Sequence, residues 1–108
     1  MTIRTTTRDV CTIARALRNG EDFTTSGALK GEATPYWIDS GRMAQDDANA
    51  LRTAKYAPGI HYVVYSYGTP IAYLVKSGGW VVPDAKYSAT TSKHQTTVRR
   101  ALRLVGMS

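Results

Sequence analysis

The stretch YSATTSKHQ, residues 87–95, gathers five hydroxyl side chains, a lysine and a histidine within nine positions. Side chains of these types serve three kinds of chemistry. A histidine beside a tyrosine or serine is equipment for general acid–base work, because its pKa lies near neutrality; a nucleophile–base pair also needs an acid to orient the imidazole. His94 with Tyr87 and Ser88 supplies the first part, and Asp84 is the nearest acid in sequence. Alternatively, Thr91, Ser92 and Lys93 at a helix start would present backbone N–H groups, hydroxyls and a cation together, which is a cradle for phosphate. The third reading needs no ligand. Ser92 followed three residues later by Gln95 is the spacing of a capping box, in which hydroxyl and amide satisfy backbone donors reciprocally.

What decides among these is the helix that carries them, expected from about Lys93 to Val105. At 100° per residue, Val98, Ala101, Leu102 and Val105 share one face, and Lys93, Thr96, Arg99, Arg100 and Arg103 share the opposite one. His94 falls in the middle of the apolar face. The periodicity therefore turns its imidazole into the fold, where buried polar groups are normally paired, here with a tyrosine hydroxyl or a backbone carbonyl. A buried histidine is the plainer expectation, with catalysis behind it.

The charge distribution draws attention to arginine. Net charge is +6, but residues 1–18 carry +3, residues 19–84 carry −2, and residues 85–108 carry +5 without a single acid. The basic side chains thus gather on the two terminal helices, which suggests an anionic partner. The first of those helices is expected from about Arg8 to Arg18, capped by Thr6 or Thr7, with Asp9 in its first turn and Asn19-Gly20 closing it. Val10, Ile13, Ala14 and Leu17 form its apolar stripe, while Arg8 and Arg15 point the other way and Arg18 lies on the flank.

Between the two helices the sequence turns toward strand. Phe23–Leu29 and 36–38 read as short strands separated by Gly, Thr and Pro-rich turns, and about Asp46 to Ala54 as a short helix, with Ala48 and Leu51 inward and the two aspartates at its positive end. The segment IHYVVYSYGTPIAYLVKSGGWVVPD is dense in β-branched and aromatic residues and reads as strands at about 60–67, 70–76 and 80–83. A Gly68-Thr69 turn would pair Tyr67 with Pro70, Tyr65 with Ala72, Val63 with Leu74 and His61 with Lys76. Both strand faces are apolar, so both should be covered. The expected fold is therefore a single α+β domain over 1–108: an N-terminal helix, a short central helix, a three-stranded antiparallel meander, and the C-terminal helix packed on it.

Other classes are disfavoured. The longest apolar runs, such as Ile71–Val75, fall far short of the roughly 18 residues a membrane span needs. The N-terminal MTIRTTTRDV lacks the apolar segment of a secretory signal, and Cys11 is alone, which fits a reducing cytoplasm. His61 and His94 sit on different elements without metal-ligand spacing, so no metal is expected, and no nucleotide or phosphate-loop fingerprint suggests a cofactor. The oligomeric state is not readable from these features.

Residues 62–102 carry a recognisable set of motifs: Ser66-Tyr67-x-Thr69-Pro70-Ile71-Ala72, then Gly79-Trp80-Val81-Val82-Pro83, then Tyr87-Ser88-x-Thr90-Thr91-x-x-His94-Gln95. Together they resemble a family of small uncharacterised proteins carried by actinobacterial phages and plasmids. The resemblance implies a protein made in a bacterial host's cytoplasm, a setting in which small basic proteins bind nucleic acid or inhibit host proteins. It implies no reaction.

The leading expectation is a non-enzymatic nucleic-acid-binding protein. Its phosphate contacts would come from Lys93, Arg99, Arg100, Arg103, Arg8, Arg15 and Arg18, with Thr91 and Ser92 as an anion site. Tyr65, Tyr67, Tyr73 and Trp80 would add stacking surfaces if exposed, although sheet packing is the commoner use of such residues. An effector that captures an acidic host protein through the same surface is the second expectation. A small enzyme built on the polar cluster Tyr87, Ser88, His94 and Gln95 is the third.

Overall fold

The computed structural model describes residues 2–35, 38–56, 59–76, 78–83 and 89–106. Six strands and three helices follow in the order β1 (Ile3–Thr5), α1 (Val10–Asn19), β2 (Phe23–Thr25), β3 (Leu29–Ala33), α2 (Gln45–Tyr56), β4 (Ile60–Ser66), β5 (Thr69–Val75), β6 (Trp80–Val81) and α3 (Ala89–Leu104). All six strands join one sheet in sequence order. β1 runs parallel to β2, with Ile3 opposite Phe23, and every other neighbouring pair is antiparallel.

This corrects the expected fold class. The chain is α+β, but the sheet is six-stranded and mixed rather than a three-stranded meander, and a strand precedes the N-terminal helix. A parallel pair needs a long crossover between its strands, and α1 is that crossover. β3, Leu-Lys-Gly-Glu-Ala, is a poor strand former by composition. It is a strand because its position between β2 and β4 satisfies its backbone on both sides. The close approach there depends on Gly31: a Cβ at that position would collide with the Phe23 ring and the Tyr62 hydroxyl. Of the expected 36–38 strand, Tyr36 and Trp37 lie outside the described residues, and Ile38 is irregular backbone packed against the cluster around Leu51.

The β4–β5 turn also differs from expectation. Tyr67 (φ 52°) and Gly68 (φ 76°) are the two central residues, so Ser66 pairs with Thr69 and Tyr65 with Pro70. Positive φ at both positions is what a type I′ turn requires, and it matches the twist of the flanking strands. A register shift between Val64 and Tyr65 absorbs the mismatch opposite Pro70, which has no N–H to give the ladder. Beyond it Val64 faces Ala72 and Val63 faces Tyr73.

Both faces of the sheet are covered, as the apolar character of β4 and β5 suggests. On one face Tyr62, Val64 and Ala72 pack with Ile13, Ala14 and Leu17 of α1 and Val98, Ala101 and Leu102 of α3. On the other, Val63, Tyr65 and Tyr73 pack with Leu51 of α2. Each such fully buried large side chain stabilises the fold by about 1.5–3 kcal/mol before entropy is counted. Asp9, not Thr6 or Thr7, caps α1: its carboxylate accepts from the Thr12 N–H (3.1 Å) and from the hydroxyls of Thr12 (2.7 Å) and Thr5 (3.0 Å). An ionised carboxylate is the stronger acceptor, and these bonds hold the Asp9 pKa below the usual aspartate value, the Thr12 hydroxyl first among them. At the other end Gly20 takes a left-handed conformation and its N–H returns to the Ala16 carbonyl.

Candidate functional site

Helix α3 begins at Ala89, about one turn earlier than its periodicity suggests. That moves Ser92 inside the helix, so the capping box does not form. Gln95 instead sends its amide to the Pro83 carbonyl at 3.1 Å, fastening α3 to the segment after β6. Thr91 lies inside the helix as well and is buried against the sheet. Thr91, Ser92 and Lys93 are therefore not presented together at a helix start: Lys93 is exposed, Ser92 half-buried and Thr91 turned inward.

His94 is turned inward too, at 6% exposure. Its partner is neither a tyrosine hydroxyl nor a carbonyl but Ser66, at the end of β4, with 2.6 Å between Ser66 Oγ and His94 Nδ1. Ser66 Oγ also lies 3.3 Å from Thr91 Oγ1, so the serine hydroxyl bridges the histidine and the threonine of α3. The Tyr67 ring stacks on the imidazole at 5.9 Å between centroids and 25° between planes. Burial pushes the His94 pKa below its ordinary value, so the neutral ring is the resident form at pH 7. Ser66 is 1% exposed, too enclosed to meet a substrate, and its hydroxyl holds the imidazole in place. Tyr87, Ser88 and Asp84, the other members of the expected polar cluster, lie outside the described residues.

Of the expected stacking residues, Tyr65 and Tyr73 are buried in the sheet and Trp80 is half-buried beside Tyr62. Burial pushes the Tyr65 hydroxyl up to about 12. Tyr67 alone of the four is exposed, and its ring is engaged with His94.

The arginines have the opposite character. α1 and α3 lie side by side on one face of the sheet, and their contacts climb together. The Thr97 hydroxyl reaches the Thr7 carbonyl at 3.5 Å, Val10 meets Arg100 and Arg103, and Ala14, Arg15 and Arg18 meet Leu104 and Val105. The two helices thus run in the same direction, and the basic residues of the two chain ends become neighbours. Between them lie two open hollows. One, of about 500 Å³, is lined by Cys11, Ala14, Arg15, Arg18, Asn19, Leu104 and Val105. The other, of about 300 Å³, is lined by Val10, Arg100, Arg103 and Leu104. Leu104 borders both and is 61% exposed, although leucine is an apolar residue.

Arg15, Arg18, Arg100 and Arg103 are all exposed, and among the described residues no ion pair ties any of them to a carboxylate. Neither α1 nor α3 contains an acidic residue. Asp9, at the head of α1, is occupied by its cap bonds and feels only a weak pull from Arg15. Arg8 is exposed two residues before α1, at the Thr7–Thr97 end of the channel, and Lys93 stands one turn before Thr97. Arg99 is half-buried and already has a partner within the chain.

Sequence reasoning missed Ser66 as the partner of His94 and Leu104 as the ridge between the hollows. The first left a signal, since Ser66 continues the inward alternation of Tyr62 and Val64 with a polar residue that needs a mate. The second left one too, since at 100° per residue Leu104 falls about 40° from Arg100, an apolar residue on the basic face. Among the described residues no three His, Cys, Asp or Glu side chains gather as metal ligands would, and no helix is long and apolar enough to cross a membrane.

A model of a family of unknown function, DUF8033, matches residues 4–102. The match reaches the first half of the chain as well as the motif-bearing second half. No curated protein and no solved structure matches the sequence.

Proposed function

The chain belongs to DUF8033, a family of unknown function, and on the arginine channel between α1 and α3 we propose that it is a non-enzymatic nucleic-acid-binding accessory protein. The observation that carries this reading is that Arg15 and Arg18 line one hollow between α1 and α3 and Arg100 and Arg103 line the next, with Leu104 common to both and no carboxylate partner for any of the four among the described residues. Like charges gathered on one surface repel one another, and a polyanion relieves that repulsion while its phosphates release their condensed counterions. Arg8 and Lys93 extend the same surface toward its other end. The 16 residues of α3 laid along a phosphate chain would span about 24 Å at 1.5 Å per residue. The resemblance of its motifs to those of small phage and plasmid proteins is consistent with this reading, and the proposed setting is an element-borne protein in a bacterial cytoplasm.

The reading is tested by titrating a fluorescent oligonucleotide at increasing salt. Binding at about 50 mM that weakens with a log–log slope near −0.7 to −0.9 per phosphate contact supports it. No binding at that salt, or binding indifferent to salt, overturns it. So does a stable complex recovered from nuclease-treated host lysate, since that outcome would assign the surface to an acidic protein.

A further inference from the structure

Phosphate contacts explain the arginines and leave Leu104 unexplained. A surface that gripped only phosphate would gain nothing from an apolar ridge 61% exposed at its centre, flanked by hollows floored with Val10, Ala14 and Val105. Resting on the reading above, we infer that the channel takes an unpaired strand, with two consecutive bases seated in the two hollows and Leu104 between them.

A duplex turns its phosphates outward and stacks its bases inside. Laid on this channel it would dehydrate phosphate against Leu104 and Val10 and bury no apolar surface of its own. A single strand presents both chemistries at once, phosphates for cations and base faces for apolar surface. The partition of the lining residues suits that alternation. One hollow has the Arg15 and Arg18 guanidinium groups on its rim, the other Arg100 and Arg103, and Leu104 stands where the two meet. Within each pair the spacing is three residues, one turn of helix, so both arginines address the same stretch of backbone. Guanidinium planes also stack on bases, which substitutes for the aromatic platforms that Tyr65 and Tyr73, buried in the sheet, cannot supply. Volumes of about 500 and 300 Å³ lie in the range of small planar ligands. The ridge interrupts the continuous apolar floor that a docked partner helix would need over several turns.

Cys11 provides the readout. It is exposed, lines the larger hollow, and is the chain's only cysteine, so maleimide reports on that hollow alone. The experiment compares a mixed-sequence single strand of about 12 nucleotides with the duplex of the same sequence, by anisotropy and by the rate of Cys11 alkylation. The strand is expected to bind about tenfold tighter than the duplex and to slow alkylation several-fold, as the duplex does not. Leu104→Ser should cost the strand about tenfold while leaving the salt slope, the duplex affinity and the melting temperature unchanged. Arg52→Gln, on α2 across the sheet, should change none of these. Equal affinity for strand and duplex, or a Leu104→Ser protein that binds the strand as the parent does, overturns the inference and leaves nucleic-acid binding standing. Absence of binding to either overturns both. Protection of Cys11 by an acidic amphipathic peptide and by neither oligonucleotide overturns both in favour of a protein partner.

Discussion

Helix α3 carries two polar regions that obey opposite rules. Near its start, His94 is enclosed, with Nδ1 bonded to Ser66 and its ring stacked against Tyr67. Toward its end, Arg100 and Arg103 face solvent, and among the described residues no acid answers them. Residue type alone would rank the histidine as the reactive group and the arginines as solubility. Geometry reverses that order. A titratable side chain with its partners in place and its access closed is a structural device, whereas cations lacking partners across a shared channel have their interactions still to make.

The comparison predicts that the enclosed region answers to shape and hydrogen bonding and the open one to charge. The largest effect belongs to the enclosed side: Gly31→Ala drives a methyl group into Phe23 and Tyr62 and should lower unfolding stability by about 3 kcal/mol, measured by denaturant titration. A change below about 0.5 kcal/mol would show that β2, β3 and β4 have room to part. Ser66→Ala follows, at about 1–3 kcal/mol, because it leaves the buried His94 Nδ1 without its hydroxyl partner, and nucleic-acid affinity per folded molecule should not move. If affinity falls with stability intact, the two regions are not independent. Arg15→Gln combined with Arg100→Gln should do the converse. Melting stays within about 0.5 kcal/mol of the parent, while the salt slope of binding shrinks by about 1.4–1.8, two contacts' worth.

The smallest effect is a pH dependence. Since burial lowers the His94 pKa in the folded state, the unfolded chain binds that proton more readily. Stability is therefore full above the unfolded histidine value of about 6.5 and declines as pH falls through it toward the lower folded value. Melting temperatures recorded from pH 7.5 to 5 should fall on acidification, and His94→Gln should flatten that slope. The Asp9 pKa is shifted downward from 3.8, so its loss of stability on acidification lies below that window and does not confuse the reading.

Elements with dense local signals were readable before any coordinates. The stripes of α1 and α3, the β-branched run of β4 and β5, and the inward placement of His94 all follow from one-dimensional period. What escaped was non-local. β1 is three residues long, too short to show alternation, and its parallel partner lies on the far side of a helix. β3 has lysine, glycine and glutamate where strand formers are expected, and its neighbours impose its conformation. The hairpin register failed because Tyr67, not glycine, opens the turn with positive φ, a conformation that few bulky residues adopt. At the site, charge segregation pointed to the arginine surface, but only the side-by-side course of α1 and α3 sets the hollow of Arg15 and Arg18 next to that of Arg100 and Arg103, with Leu104 bordering both.

The two banks of that channel are moored differently. α1 is tied at both ends into adjacent, paired strands, with Ile3 held opposite Phe23, so it can neither slide nor tilt without breaking sheet hydrogen bonds. α3 is anchored near its beginning by the Ser66–His94 and Gln95–Pro83 bonds and at Thr97 by the Thr7 carbonyl, while Val98, Ala101 and Leu102 pack its later turns into the core. The width of the gap is thus set by core packing on both banks, Ile13 and Leu17 on one and Val98, Ala101 and Leu102 on the other, so it is inherited from the interior and not from the arginines that rim it.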